Sequence, residues 1–259
     1  MTLIVMGRRR GNAISVVQPF FQDDFTGGQR NNANGFTWNS TTSRVAPVAD
    51  FGGAPALRFR FGPDALGSET SAEQRFDMGR DLSELWMDYD VHIPSNFALR
   101  NDPPANNKFL ALWPLNYSTI GETYVVTEFD RNGTDTSYAR MLGYGDMFYA
   151  DNNVVIRGGD AIQNSNFISA ARAGAWHRIR VHYKLASGAG QTNGVYEGWI
   201  GTSLMWRSRT DWQFWSTGGL NYVRRGYLMG TPNSGYTDET DFHIRSFKLY
   251  DQNPGWSDL

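Results

Sequence analysis

Strict alternation of apolar and polar residues is the feature that most limits what this chain can fold into. In residues 85–93 every second side chain is apolar: Leu85, Met87, Tyr89, Val91 and Ile93. The side chains between them are Trp86, Asp88, Asp90 and His92. Residues 176–185 repeat the pattern, with Ile179, Val181, Tyr183 and Leu185 in phase. Because successive side chains of a strand point to opposite faces, both segments predict antiparallel strands whose polar face is exposed or lines a cleft.

Short strands separated by turn residues make up most of the remaining sequence. They are predicted at residues 56–61, 108–113, 123–130, 138–144, 195–201, 226–231 and 242–250. No long segment has a helical period, and strands without long helices leave sandwiches, jelly rolls and barrels. No linker divides the 259 residues. We therefore predict an N-terminal arm, residues 1–19, and a single all-β domain, residues 20–259.

Charge and cysteine content restrict the partners. The net charge of −2 gives no basic field that would attract nucleic acid or an anionic membrane. The absence of Cys excludes disulfides and thiolate chemistry. An apolar run from Leu3 to Gly7 precedes the first basic residues, the reverse of a secretory signal. We therefore predict no signal peptide and synthesis in the cytoplasm.

The N-terminal arm places three arginines between two apolar stretches, residues 3–6 and 14–17. Since these stretches precede the first strand of the domain, we predict that the arm docks on another protein chain, by adding a strand to an open sheet edge. The predicted docking residues are Leu3, Ile4, Val5, Arg8, Arg9 and Arg10. The alternative is an arm that covers an edge of the domain's own sheet.

Several sequence blocks resemble concanavalin-A-like domains. FFQDDFTGG at 20–28, GFTW at 35–38 and ALRF at 56–59 are similar to the opening strands of such domains. Residues 84–94, followed by 107–113, resemble the paired central strands of alginate-lyase-like and glucuronan-lyase-like jelly rolls. The blocks at 175–181, 193–201 and 235–250 resemble their later strands. The resemblance implies a two-sheet antiparallel jelly-roll β-sandwich.

Polysaccharide lyases of this fold neutralise a uronate carboxylate and supply a base and an acid from Arg, Gln, His and Tyr side chains. The sequence offers Glu73, Arg75, His92, Lys108, Arg140, Tyr144 and His177. If the chain is a lyase, we expect His92, Lys108, Arg140 and Tyr144 to carry the reaction. The family's QIH motif and its terminal YxKxGxYxQ strand are absent, so no catalytic residue is predicted. His177 is in phase with Ile179 and Val181, the apolar positions of its strand, and is therefore expected in the core. His182 and His243 are expected on solvated faces.

Laminarinase-like hydrolases of the same fold place carboxylates on one strand face, as Glu128 and Asp130 do here. Retaining hydrolysis needs a nucleophile and an acid, and Asn132 and Gly133 stand where the pattern needs another glutamate. In related folds an ion lies where the first and last strands meet, which points to Asp24 and Asp241. Calcium takes about six to eight oxygen ligands, more than these two carboxylates supply. No cofactor is predicted.

The function predicted from the sequence is a non-catalytic, lectin-like sandwich that serves as a structural or glycan-binding module. By analogy it is a bacteriophage virion decoration or tail protein. The predicted glycan-binding residues are Trp86, Asp88, Asp90, His92, Trp113, Glu128, Asp130 and Arg140. The alternatives are a polysaccharide lyase acting by β-elimination on a uronate-containing polysaccharide, and a glycoside hydrolase.

Overall fold

The computed structural model of the chain describes residues 17–63, 71–100, 106–117, 124–132, 136–144, 154–155, 162–163, 166–208, 210, 212–216, 219–233 and 235–256. The predicted docking residues of the N-terminal arm lie outside these ranges. No helix in the described ranges is long and apolar enough to cross a membrane.

Strands dominate the described residues, with one short 3₁₀ helix at Ala170–Arg172. The strands are β1 Phe21–Asp23, β2 Thr37–Thr41, β3 Val45–Val48, β4 Ala56–Phe61, β5 Ala72–Leu82, β6 Glu84–Ile93, β7 Asn106–Trp113, β8 Tyr124–Asn132, β9 Thr136–Tyr144, β10 Val154–Val155, β11 Ile162–Gln163, β12 Ala175–Lys184, β13 Val195–Ile200, β14 Ser203–Arg207, β15 Val223–Gly230 and β16 Thr240–Tyr250.

Two antiparallel sheets are formed. The nine-stranded sheet has the order β11-β14-β13-β12-β6-β16-β4-β3, and β1 also pairs with β16. The seven-stranded sheet has the order β10-β9-β8-β7-β15-β5-β2. The predicted all-β, two-sheet antiparallel sandwich is therefore confirmed.

The core lies between the sheets and is formed by the apolar positions of the alternating strands. Leu85, Met87, Val91 and Ile93 of β6 are completely buried, and Tyr89 is 1% exposed, as the alternation predicts. A hydrogen bond between the Thr127 and Tyr196 hydroxyls joins the two sheets across this core. Burial raises the pKa of the Tyr196 hydroxyl, which keeps it neutral as a partner.

One predicted pairing is wrong. The blocks at 84–94 and 107–113 resemble paired central strands, but β6 pairs with β12 and β16 whereas β7 pairs with β8 and β15. The chain passes from one sheet to the other between Ile93 and Asn106. Alternation defines the two faces of each strand and carries no information about which sheet the strand joins.

Candidate functional site

The outer face of the nine-stranded sheet carries the polar side of β6, and its charges are paired within the sheet. Arg178 on β12 donates two hydrogen bonds to Asp88, at 2.8 and 2.6 Å. Arg245 on β16 donates to Asp90 at 3.1 Å. These two carboxylates, which were predicted to bind glycan, are already occupied by cross-strand arginines.

Aromatic side chains cover the rest of that face. The rings of Trp86 and His182 stack with centroids 3.6 Å apart, and Trp256 of the C-terminal tail packs edge-on to Trp86 at 5.2 Å. His182 also hydrogen-bonds Glu84 at 2.8 Å and Glu197 at 3.3 Å. His182 is therefore buried rather than solvated, because its neighbours are carboxylates and rings and not only the basic residues next to it in sequence.

The remaining histidines of this face are enclosed as well. Phe51 stacks on His243 with centroids 3.5 Å apart and lies edge-on to His92 at 4.9 Å. Burial lowers the pKa of His243 to about 4, and that of His92 is also lowered chiefly by burial. The expectation of a solvated His243 is wrong, since the turn that carries Phe51 covers it. His177 is half-buried, and its Nε2 lies 2.7 Å from the Arg172 carbonyl.

The other predicted residues lie on the seven-stranded sheet. Lys108 on β7 is opposite Glu128 on β8, and Glu128 is opposite Arg140 on β9. Tyr144, for which the structure describes the backbone, pairs with Tyr124. His92 is on the other sheet, and packed sheets lie about 10 Å apart with the core between them. The structure therefore places Lys108 and Arg140 on the two strands that flank β8 but does not bring His92 to them.

An open cleft of about 520 Å³ lies on the outer face of the seven-stranded sheet. Its lining consists of Asn39, Arg75, Trp113, Leu115, Asn116, Tyr117 and Arg225. The register of the sheet explains the assembly, because Arg75 on β5 is opposite Tyr227 on β15, and Arg225 is opposite Trp113 on β7. Four strands, β2, β5, β7 and β15, and the loop after β7 thus supply the site.

Two aromatic rings, Trp113 and Tyr117, line one side of the cleft, and the buried ring of Tyr227 packs against both. The centroid of Trp113 is 5.1 Å from that of Tyr117 and 5.8 Å from that of Tyr227. Small apolar side chains, Ala111 and Val126, pack with these rings in a cluster separate from the main core. Tyr117 is partly exposed, whereas Trp113 is 3% exposed and Tyr227 is completely buried. Aromatic rings beside a few convergent polar groups are typical of ligand sites.

Arg75 supplies the charge of the cleft. Its guanidinium lies 5.0 Å from the ring centroid of Tyr117 and 6.0 Å from that of Trp113. Nε donates to Glu73, and within the described chain Nη1 and Nη2 have no protein acceptor. Burial alone would lower the pKa of Arg75, but the hydrogen bond to Glu73 and the charge interactions with Glu73, Tyr117 and Tyr227 together outweigh it, and the pKa is raised. Arg75 therefore presents a fixed, charged fork to a ligand.

The sequence alone does not single out Tyr117, Arg225 or Tyr227. Tyr117 lies four residues after the end of β7, in a loop, and the alternation of a strand does not predict where a loop side chain points. Arg225 and Tyr227 share a strand face, a signal that could have been noticed, but their position beside Arg75 and Trp113 depends on the order of the strands in the sheet.

The carboxylates predicted for hydrolysis or metal binding do not gather into a larger cluster. Glu128 and Asp130 are opposite Lys108 and Asn106, and Glu128 is 3% exposed.

The two carboxylates predicted for calcium do not meet. β1 pairs Asp23 with Phe247, whereas Asp241 lies six residues earlier on β16, hydrogen-bonded to Arg60. Asp24 and Asp241 are thus on the order of 20 Å apart along the strand. Among the described residues no group of three or more His, Cys, Asp or Glu side chains is placed to hold a metal.

The two antiparallel sheets and the cleft across one of them define a concanavalin-A-like β-sandwich. The sequence matches no protein-family profile and no curated protein. Among solved structures the chain is similar to alginate lyase Aly36B, in a mutant form in complex with alginate trisaccharide, at 11% identity over 92% of this chain and 100% of that one, with a TM-score of 0.63. It is also similar to alginate lyase vAL-1 from Chlorella virus, at 11% identity, 83% and 92% coverage and a TM-score of 0.58. An endo-1,3-beta-glucanase from Streptomyces sioyaensis has 12% identity, 93% and 98% coverage and a TM-score of 0.57.

Proposed function

We propose that the chain is a lectin-like module that binds an acidic, uronate-containing polysaccharide in the cleft of the seven-stranded sheet. The observation that carries this proposal is the charged fork of Arg75 beside the rings of Trp113 and Tyr117. An aromatic ring packs against the apolar face of a sugar ring, and a guanidinium pairs with a carboxylate through two parallel hydrogen bonds. A uronate unit has both features.

The similar structures include proteins named for an acidic and for a neutral polysaccharide. Two of the similar structures are alginate lyases, and one of these holds an alginate trisaccharide. The glucanase has the same fold, so the fold by itself does not choose between charged and neutral sugars. The choice depends on Arg75, the cleft cation whose Nη1 and Nη2 are left for a ligand.

Calorimetric titration with alginate trisaccharide, and with a neutral glucan trisaccharide of the same length, tests this proposal. We expect the alginate to bind more tightly, and Arg75→Ala to weaken it by about 10- to 100-fold, because a hydrogen-bonded charge contributes about 1.5–3 kcal/mol. Arg207→Ala is the matched control, since Arg207 is an exposed arginine on the nine-stranded sheet. Equal affinity for both sugars, or full affinity after Arg75→Ala, would contradict the proposal.

A second candidate, a polysaccharide lyase, is favoured by one observation. The Tyr117 and Tyr227 hydroxyls are 3.4 Å apart, next to the guanidinium of Arg75. In β-elimination a base removes the C5 proton of the uronate, the electron pair forms the C4–C5 double bond, and the C4–O bond breaks as an acid protonates the leaving oxygen. Arg75 would neutralise the carboxylate, and Tyr117, which lines the cleft, would take the C5 proton on its oxygen and pass it to the leaving oxygen. Tyr227 is completely buried and would orient Tyr117 through their hydrogen bond.

Absorbance of unsaturated uronate products distinguishes the two candidates. A binding module incubated with alginate, glucuronan or hyaluronan should give a flat trace, which is the result we expect. Turnover that Tyr117→Phe abolishes, while calorimetry still shows alginate binding, would establish the lyase instead. The association with a virion and the docking of the N-terminal arm on a partner stay predictions.

A further inference from the structure

Arg225 differs from Arg75 in how its donors are used. Its Nε donates to Asp77 Oδ2 at 2.8 Å, and its Nη1 donates to the Leu115 carbonyl at 2.6 Å. Leu115 belongs to residues 114–117, which follow β7 and carry Asn116 and Tyr117 into the cleft; we call this segment the cleft wall. Arg225 therefore ties the cleft wall to the side chain of Asp77 on β5.

A bulge explains how this connection arises. In a regular strand Arg224 and Arg225 would point to opposite faces, but the pairing of β15 with β5 shifts register between Val223 and Arg225. Arg224 Nε consequently reaches the other oxygen of Asp77, at 3.0 Å. Bulges are a common means of re-aiming a side chain beside a site. Only Arg225 of these two arginines continues to the cleft wall.

Asp77 is a firm anchor. It is 9% exposed and also accepts the Gly79 backbone N–H at 2.8 Å. Burial would raise the pKa of Asp77, but the hydrogen bonds from Gly79, Arg225 and Arg224 outweigh it and the pKa is lowered. The carboxylate therefore stays charged at neutral pH and holds the guanidinium in one orientation.

We propose that Arg225 is a positioning residue: bridging Asp77 and the Leu115 carbonyl, it sets the cleft wall at the position from which Tyr117 and Asn116 meet a ligand. This rests on the proposed function for the identity of the ligand. A direct ionic role for Arg225 would need its charge alone. A positioning role needs the two-pronged geometry of a guanidinium, which lysine cannot reproduce.

Hydrogen exchange in the absence of sugar tests the positioning role by itself. The backbone amides of residues 115–117 should exchange about tenfold faster or more in Arg225→Lys and in Asp77→Asn, because the segment loses its anchor. Arg224→Ala is the matched control, since it removes the neighbouring arginine from the same carboxylate and should change the exchange of these amides by less than about twofold. Unchanged exchange in both Arg225→Lys and Asp77→Asn would overturn the proposal.

The affinity for alginate trisaccharide is a second measurement. In Asp77→Asn it should rise if Arg225 acts only through its charge and fall if Arg225 positions the cleft wall. Asp77→Asn removes a negative charge beside the cleft, so a purely electrostatic role for Arg225 predicts tighter binding of the anion. The positioning role predicts binding about tenfold weaker, in Asp77→Asn and Arg225→Lys alike, with melting temperatures within about 5 °C of the parent protein. Tighter binding by Asp77→Asn, or faster exchange without loss of affinity, would contradict it. If the parent protein fails to bind alginate, the proposed function fails, and the exchange measurement still decides the role of Arg225.

Discussion

At the scale of single residues, the Asp23 carboxylate holds the opening sequence segments of the domain together. Its buried carboxylate accepts hydrogen bonds from the Phe25 and Asn31 backbone N–H groups, each at 2.8 Å, and from Trp38 Nε1, also at 2.8 Å. The Asn31 side chain adds a bond of 3.0 Å. The DDF and GFTW segments thus belong together because one carboxylate joins them.

Loss of this carboxylate should destabilise the whole sandwich. Asp23→Ala leaves several buried donors without an acceptor, and we expect the free energy of unfolding to fall by about 3 kcal/mol. For a domain of this size that corresponds to a melting temperature lower by roughly 6–12 °C. Asp24→Ala, a change at the exposed neighbour, should shift it by no more than about 2 °C. Calorimetric melting curves of equal midpoint for the two variants would show that the network around Asp23 contributes little.

At the scale of elements, four strands of the nine-stranded sheet present one cross-strand row on their outer face. Arg58 on β4 is opposite His243 on β16, His243 is opposite His92 on β6, and His92 is opposite Trp176 on β12. Phe51, in the turn before β4, lies against His243, His92 and Trp176. The turn thus buries His243 and partly covers the rest of the row, and no single strand contains a signal for this.

The enclosure of His243 should make stability depend on pH. The unfolded chain binds a proton at His243 near its ordinary pKa of 6.5, whereas the folded protein does so only near 4, since burial disfavours the charged ring. Between these values the unfolded state holds more protons, so acid destabilises the fold. From His243 alone we expect about 2 kcal/mol less unfolding free energy at pH 5 than at pH 7.5.

Urea unfolding at these two pH values, with His243→Gln compared to the parent protein, measures that contribution. The variant should lose about 2 kcal/mol of the pH dependence. Some dependence should remain, because burial lowers the pKa of His92 as well. An identical pH dependence in both proteins would mean that His243 takes up its proton equally easily in the folded and unfolded chain.

At the scale of the whole molecule, the two outer faces have different properties. On the nine-stranded sheet, arginines of β12 and β16 pair with the acidic residues of β6, and rings cover the histidines. On the seven-stranded sheet, a cleft leaves the fork of Arg75 open beside aromatic rings. The glycan-binding residues predicted from the sequence are divided between these faces: Trp86, Asp88, Asp90 and His92 on the first, and Trp113, Glu128, Asp130 and Arg140 on strands of the second.

The sequence by itself determined what is local to a strand. Alternation in β6 and β12 identified the side chains that face the core, although Asp88 and His182 on the opposite face are buried as well. The absence of a helical period determined the all-β class, and both inferences follow from the twofold repeat of an extended chain. Arg75 and Trp113 could be named as candidates from their chemistry. Only the tertiary structure decided which strands are neighbours, and hence that Arg75, Trp113, Tyr117 and Arg225 meet while His92 is excluded. The physical reason is that strand order and loop direction depend on contacts between residues far apart in the chain, such as the Arg225–Asp77 pair, and no short segment encodes them.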